Sequence, residues 1–184
     1  IPILPGDTLI DLGANNGLVC TFLAKKYPEC RILALEPRSD NYANLCATLL
    51  KNGIVNVYPY RLAIAGSERD AVIGGSTRAS GGASIVPGWY ADDPDAINIL
   101  ETCPTTTLDI LFRRHNIQEC RFLKCDIEGG EFEAFAQTTV LDRIDYMSME
   151  VHNEPRYLPV DYQGFVNHVG ERMRHPEHFV SFLS

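Results

Sequence analysis

Acids and glycines recur in this sequence wherever a strand-like apolar run stops. Asp11 and Gly13 close the run that opens at Thr8, in Asp11-Leu-Gly13-Ala-Asn15-Asn-Gly17. Glu36 ends the run Arg31–Glu36 and is followed by Pro37. Asp126-Ile-Glu128-Gly-Gly-Glu131 lies at the end of Cys120–Ile127, and Glu150-Val-His152 at the end of Ile144–Val151. The stretch Thr8–Pro37 reads as short strand, glycine turn, helix, second strand, acid. That is one βαβ unit, which builds a nucleotide-type pocket beyond the carboxyl ends of parallel strands. Gly13 permits the tight turn, Gly17 lets the helix pack close, and the helix N-terminus offers unpaired N–H groups to a ligand. Glu36 stands 23 residues after Gly13, where a carboxylate accepts hydrogen bonds from ribose hydroxyls.

The loop variant selects the ligand. A dinucleotide fingerprint needs a middle glycine for close approach of the pyrophosphate; here the loop is Gly-Ala-Asn-Asn-Gly. Asp11 before it would repel a pyrophosphate and suit a cationic amine. A ligand with a ribose, an ammonium and no phosphate fits better, and S-adenosylmethionine (SAM) is that ligand. An NAD-dependent oxidoreductase on a Rossmann-like fold is the alternative, favoured by Glu36 and opposed by Asp11 and the missing glycine. A non-catalytic SAM-fold binding domain is a third reading.

The elements that must position these groups follow from periodicity. Strands are expected at Thr8–Leu12, Arg31–Glu36, Val55–Tyr60, Cys120–Ile127, Ile144–Val151 and His178–Leu183. The near-continuous apolar character of the second is that of a strand covered on both faces. Helices are expected over residues 17–27, 38–52 (capped by Ser39 or Asp40), 107–116, 131–138 and 162–173, from apolar residues at three- and four-residue spacing. Leu62–Gly66, with Ala63 in it, falls beside the ligand's base. Residues 70–87 break the pattern and read as an edge hairpin with a Gly81-Gly82 loop near the pocket; residues 88–101 read as a surface loop. Strands alternating with helices give a doubly wound α/β domain with a mostly parallel sheet and helices on both faces.

The 184 residues suit one domain over 1–184, open to further residues at either end. Net charge is −8, against the basic face that nucleic-acid binding needs. No apolar run approaches the ~18–20 residues of a membrane span. The six cysteines form no C-x-x-C pair and read as reduced thiols of a cytoplasmic protein, with Cys20 and Cys46 as small core residues.

Taken together, Asp11-Leu-Gly-Ala-Asn-Asn-Gly17, Glu36-Pro37, Thr107-Leu-Asp109, Lys124-Cys-Asp126-Ile-Glu128-Gly-Gly-Glu131 and Glu150-Val-His152 resemble the FkbM-family SAM-dependent methyltransferases. The resemblance implies a class I methyltransferase fold and methyl transfer to an oxygen, with a small-molecule or carbohydrate acceptor. It places Asp11, Gly13, Asn15 and Gly17 at the methionine part of SAM, Glu36 at the ribose and Asp126 at the methyl and amino end. Glu128, Glu150 and His152 would lie toward the acceptor. Gly130 replaces the alanine usual in the family's E-G-A-E.

A hydroxyl acceptor benefits from a general base, and an imidazole of ordinary pKa, near ~6.5, serves well. His152 or Asp126 is the expected base, and Glu128 the third candidate catalytic group. Asp126, Glu128, Glu150 and His152 could also hold Mg²⁺, but no tight metal motif supports that and no metal is expected. Lys124 reads as a structural ion-pair partner.

Overall fold

The computed structural model describes residues 1–75, 83–87, 101–152 and 161–183. In chain order the elements are β1 (Thr8–Leu12), α1 (Leu18–Lys26), β2 (Arg31–Leu35), α2 (Ser39–Lys51), β3 (Val57–Tyr60), β4 (Ala63–Ile64), β5 (Asp70–Gly75) and β6 (Ala83–Ser84). They continue with β7 (Glu101–Thr106), α3 (Leu108–Arg114), β8 (Cys120–Cys125), α4 (Glu131–Phe135), β9 (Ile144–Val151), α5 (Tyr162–Arg172) and β10 (Phe179–Leu183).

Six strands form a sheet in the order β10-β9-β8-β1-β2-β3, and every pairing in it is parallel. The chain builds outward from β1 to β3, then returns to the other side of β1 with β8. The strand order therefore reverses between β1 and β8, which is where open α/β sheets bind ligands. Alternation along the central strands feeds two cores. Leu9, Ile32 and Ala34 pack with Cys20, Leu23, Leu45 and Leu49 of α1 and α2. Ile10, Leu12, Leu33, Leu35 and Leu123 pack with α3 through Leu111 and Phe112, and with α4 through Phe135. Helices thus cover both faces, as the strand pattern predicts.

A smaller sheet, β4-β7-β5-β6, sits beyond β3 in sequence. The expected hairpin is there: Gly74 pairs with Ser84 and Gly75 with Ala83, antiparallel. Its Gly81-Gly82 loop, and residues 88–100 of the expected surface loop, lie outside the described residues. Several expectations need correction. Glu101 opens a strand, β7, antiparallel to β5 with Pro104 opposite Asp70; a proline and no apolar alternation hide it in the sequence. Neither Ser39 nor Asp40 caps α2. Arg38 is the cap residue, and its side chain makes no capping hydrogen bond to the helix. Asp40 is engaged by the Arg38 guanidinium at 2.7 Å, and Glu101 of β7 accepts the Ser39 N–H at 2.7 Å instead. Cys46 is only half-buried, while Cys20, Cys30, Cys103, Cys120 and Cys125 are buried free thiols. No helix among the described residues is long and apolar enough to cross a membrane.

Candidate functional site

The residue immediately past each of four neighbouring strands is one of the candidate site residues. Across the sheet these are His152 after β9, Asp126 after β8, Gly13 after β1 and Glu36 after β2. Parallel strands ~4.8 Å apart set these groups in a row along one edge. A cleft of about 90 Å³ opens there. Gly13, Asn15, Glu36, Ala63, Asp126 and Glu128 all line it, with apolar walls from Leu12, Leu35, Ile64 and Ile127. Ala83 and Ile85 bring the hairpin to its rim.

The glycine loop is built tightly. Gly13 has φ +74°, and the N–H groups of Gly13 and Ala14 both donate to the Leu35 carbonyl, at 3.0 and 2.9 Å. Asn15 follows in the left-handed region, φ 49°, which asparagine tolerates. Glu36 closes the loop from the other side: its Oε2 accepts the Asn15 N–H at 2.8 Å and its Oε1 the Arg38 N–H at 3.0 Å. Burial pushes the Glu36 carboxyl pKa up, against these bonds that pull it down. Glu36 therefore fixes the donor loop besides facing the cleft.

Gly17 and Asp11 lie behind that loop and not among the lining residues. Gly17 caps α1 at φ +83°, against Leu45. Asp11 is fully buried. Its carboxylate is 3.5 Å from Lys124 Nζ, and burial raises its pKa to about 6 despite that cation. Asp11 thus meets a lysine ammonium of its own chain where the sequence suggests a ligand's amine. Lys124, as expected, is structural: Nζ donates to the carbonyls of Gly13 (2.8 Å) and Leu12 (3.3 Å) and pairs with Asp126 Oδ2 (3.4 Å).

At the other end, four carboxyl groups surround His152. Its Nδ1 lies 3.1 Å from Glu131 Oε1; its Nε2 lies 3.5 Å from Glu128 Oε2 and 3.9 Å from both Asp126 Oδ1 and Glu150 Oε1. Glu131 is fully buried and also accepts the Ile127 N–H at 3.0 Å. The sequence leaves Glu131 divided between a site role and a helix-dipole role at the start of α4; the structure sets it against His152. Glu128 adopts φ 54°, a left-handed conformation costly for a glutamate, and Ser84 of β6 donates to its carbonyl at 2.5 Å.

Burial alone would lower the His152 pKa; the Glu131 hydrogen bond and the carboxylates of Glu131, Glu128 and Asp126 outweigh it and push it up to about 9. This corrects the expectation of an ordinary imidazole. Without a bound cation, His152 is therefore an imidazolium at neutral pH, paired with the carboxylates around it. The folded-state pKa is raised, so the stabilisation is complete below the unfolded value near ~6.5 and is lost as pH rises through about 9. In chelator, a proton NMR titration should show the His152 ring titrating near 9. Unfolding stability should fall by on the order of 2–3 kcal/mol between pH 6.5 and 9.5. Glu131→Gln should flatten that slope. A ring titrating near its ordinary value would show that Glu131 does not hold it.

No curated protein is significantly similar to this chain in sequence. Among solved structures, coclaurine N-methyltransferase bound to N-methylheliamine and SAH is 24% identical over 32% of this chain, with a TM-score of 0.31. The match spans 18% of that protein, too little to carry an inference about this one. The parallel sheet with its order reversal, and the glycine loop and acid beside it, are those of the class I methyltransferase fold. Residues 11–173, most of the chain, match the methyltransferase FkbM domain, so the chain belongs to the FkbM methyltransferase family, whose cofactor is S-adenosylmethionine.

Proposed function

We propose that this domain methylates a hydroxyl oxygen of a small molecule or sugar. The observation that carries the reading is that Asp126 and Glu128 line the same cleft as Gly13 and Glu36, so proton acceptors and donor loop share one space. The cleft suits the donor: a glycine loop without room for a Cβ, an acid past β2, apolar walls for a base and carboxylates for a cation. Bound SAM supplies an electrophilic methyl group on a cationic sulfur, open to in-line displacement.

The chain's own residues do the rest. Glu36 lies where a ribose would, and Asp126 faces the methyl end with Oδ1 while Lys124 fixes Oδ2. Glu128, aimed by its backbone and by His152, accepts the hydroxyl proton as the new O–C bond forms. A nitrogen acceptor is disfavoured by the same groups: an acid-rich pocket holds an amine as its ammonium, which has no lone pair to give.

Calorimetric titration with SAM, its demethylated product and NAD tests the donor. Micromolar binding of the first two is expected, weakened about 10–100-fold in Glu36→Ala by loss of charged hydrogen bonds. Binding of NAD in their place would overturn the reading. Transfer of labelled methyl to a panel of alcohols, diols, sugars and amines then tests the acceptor. Turnover on hydroxyl compounds, cut at least about 100-fold in Glu128→Gln, is the expected result.

A further inference from the structure

Two groups of described residues place three metal-ligating atoms within 4.8 Å of one another: Asp126, Glu150 and His152 at the ends of β8 and β9, and His175, Glu177 and His178 near the start of β10. In the first group Asp126 lines the cleft, and His152 lies 3.5 Å from Glu128, which lines it too. We propose that Asp126, Glu150 and His152 form a divalent-cation site that holds the acceptor oxygen; the inference rests on the methyltransferase reading above.

Three features support the site. The ligands come from the ends of two adjacent, hydrogen-bonded strands, β8 and β9, so their spacing is set by rigid structure. Two of the ligands are oriented from behind. Glu131 takes Nδ1 of His152, which aims Nε2 at Asp126 and Glu150, the carboxylate–histidine arrangement found behind metal-bound imidazoles; a bound cation would take the place of the proton that Nε2 otherwise carries, releasing it to solvent. Lys124 takes Oδ2 of Asp126, which leaves Oδ1 on the His152 side. Finally, the separations suit coordination. Bonds of about 2.0–2.2 Å put octahedral ligands about 3 Å apart when adjacent and about 4.2 Å apart when opposed. Nε2 lies 3.9 Å from each carboxylate oxygen and the three atoms lie within 4.8 Å of one another, so side-chain rotations of about 1 Å close the set.

One imidazole with two carboxylates is a donor set for Mn²⁺ or Zn²⁺ more than for Mg²⁺, which prefers oxygen throughout. Three protein ligands leave coordination positions open for an acceptor hydroxyl, or for two vicinal ones. The cation would polarise the O–H bond. The proton passes to Glu128, the oxygen lone pair forms the O–C bond, and the electron pair of the breaking S–C bond stays on sulfur.

The test is calorimetric titration of the chelator-treated full chain with MnCl₂, ZnCl₂ and MgCl₂ separately. One Mn²⁺ or Zn²⁺ per chain in the micromolar range is expected, weakened at least tenfold by Glu150→Gln and by Asp126→Asn, and unchanged by His175→Ala. Glu150, 42% exposed, can be replaced without threatening the fold. No binding, or binding lost in His175→Ala but kept in Glu150→Gln, overturns the proposal. SAM titration in chelator separates the two readings. SAM binding without cation binding sinks the metal site alone, whereas cation binding without SAM binding sinks the donor assignment and leaves the site.

Discussion

Gly13→Ala is expected to destabilise the chain by about 3 kcal/mol and to abolish SAM binding. A Cβ at position 13 would stand 1.8 Å from the Asp126 carbonyl oxygen and 3.0 Å from its carbon. Neither side can retreat. The Gly13 and Ala14 N–H groups are both committed to the Leu35 carbonyl, and the Asp126 N–H donates to the Leu12 carbonyl at 3.1 Å. Any shift that relieves the clash tears the carboxyl end of β1 from β2 or from β8. The φ of +74° adds about 1–2 kcal/mol for a residue with a side chain, and the forced backbone displacement about 1–3 more. Gly17→Ala makes the contrast. Its φ, +83°, costs the same, but the atom in the way is Leu45 Cδ1 at 2.6 Å, the tip of a side chain that can turn. It should cost about 1–2 kcal/mol and keep SAM affinity within a few-fold. Denaturant unfolding and calorimetry on the two variants check this together. Equal effects would mean that the Gly13–Asp126 contact is not rigid.

What the sequence shows of this site follows from the parallel sheet. Strands buried on both faces are continuous apolar runs, so their ends are sharp, and whatever follows them sits at the cleft. Gly13, Glu36, Asp126 and His152 could be located on that basis alone. What it hides depends on register and on conformation. That Lys124 faces Asp11 requires knowing that β8 lies beside β1 with those two residues opposite. That Glu131 holds His152 depends on a contact across 21 residues, between a helix start and a neighbouring strand. The raised pKa of His152 follows from that contact, so its charge state could not be read from its residue type. Glu128 gives no sign in the sequence of its left-handed backbone, because glutamate has no preference for it. β7 is hidden by Pro104 and by threonines that carry no alternation, and with it the Glu101 carboxylate that caps α2.

Lys124→Met should cost about 3–5 kcal/mol, because it leaves a buried carboxylate without its cation. Asp11 has no exposure, and neither of its carboxylate oxygens has a hydrogen-bond partner; the 3.5 Å contact with Lys124 Nζ is an ion pair looser than a hydrogen bond. Methionine fills similar volume, so the loss isolates charge and hydrogen bonds from packing. The pH dependence identifies the cause. Burial already raises the Asp11 pKa to about 6, so the folded chain binds this proton more tightly than the unfolded one, and this group's contribution to stability grows as pH falls from 7 toward 4. Without Lys124 the pKa rises further, and the variant should regain more of its stability on acidification than wild type does. The double variant Asp11→Asn/Lys124→Met removes both charges and should recover most of the loss, a coupling of about 2–3 kcal/mol in the cycle. If the single and double variants are equally unstable, Lys124 acts through the Leu12 and Gly13 carbonyls and not through Asp11. Affinity should separate from stability in the same set. The double variant still lacks the ammonium that fixes the Gly13 carbonyl and Asp126 Oδ2. It should fold well and bind SAM poorly, which would show that this buried lysine shapes the donor loop as well as neutralising the acid behind it.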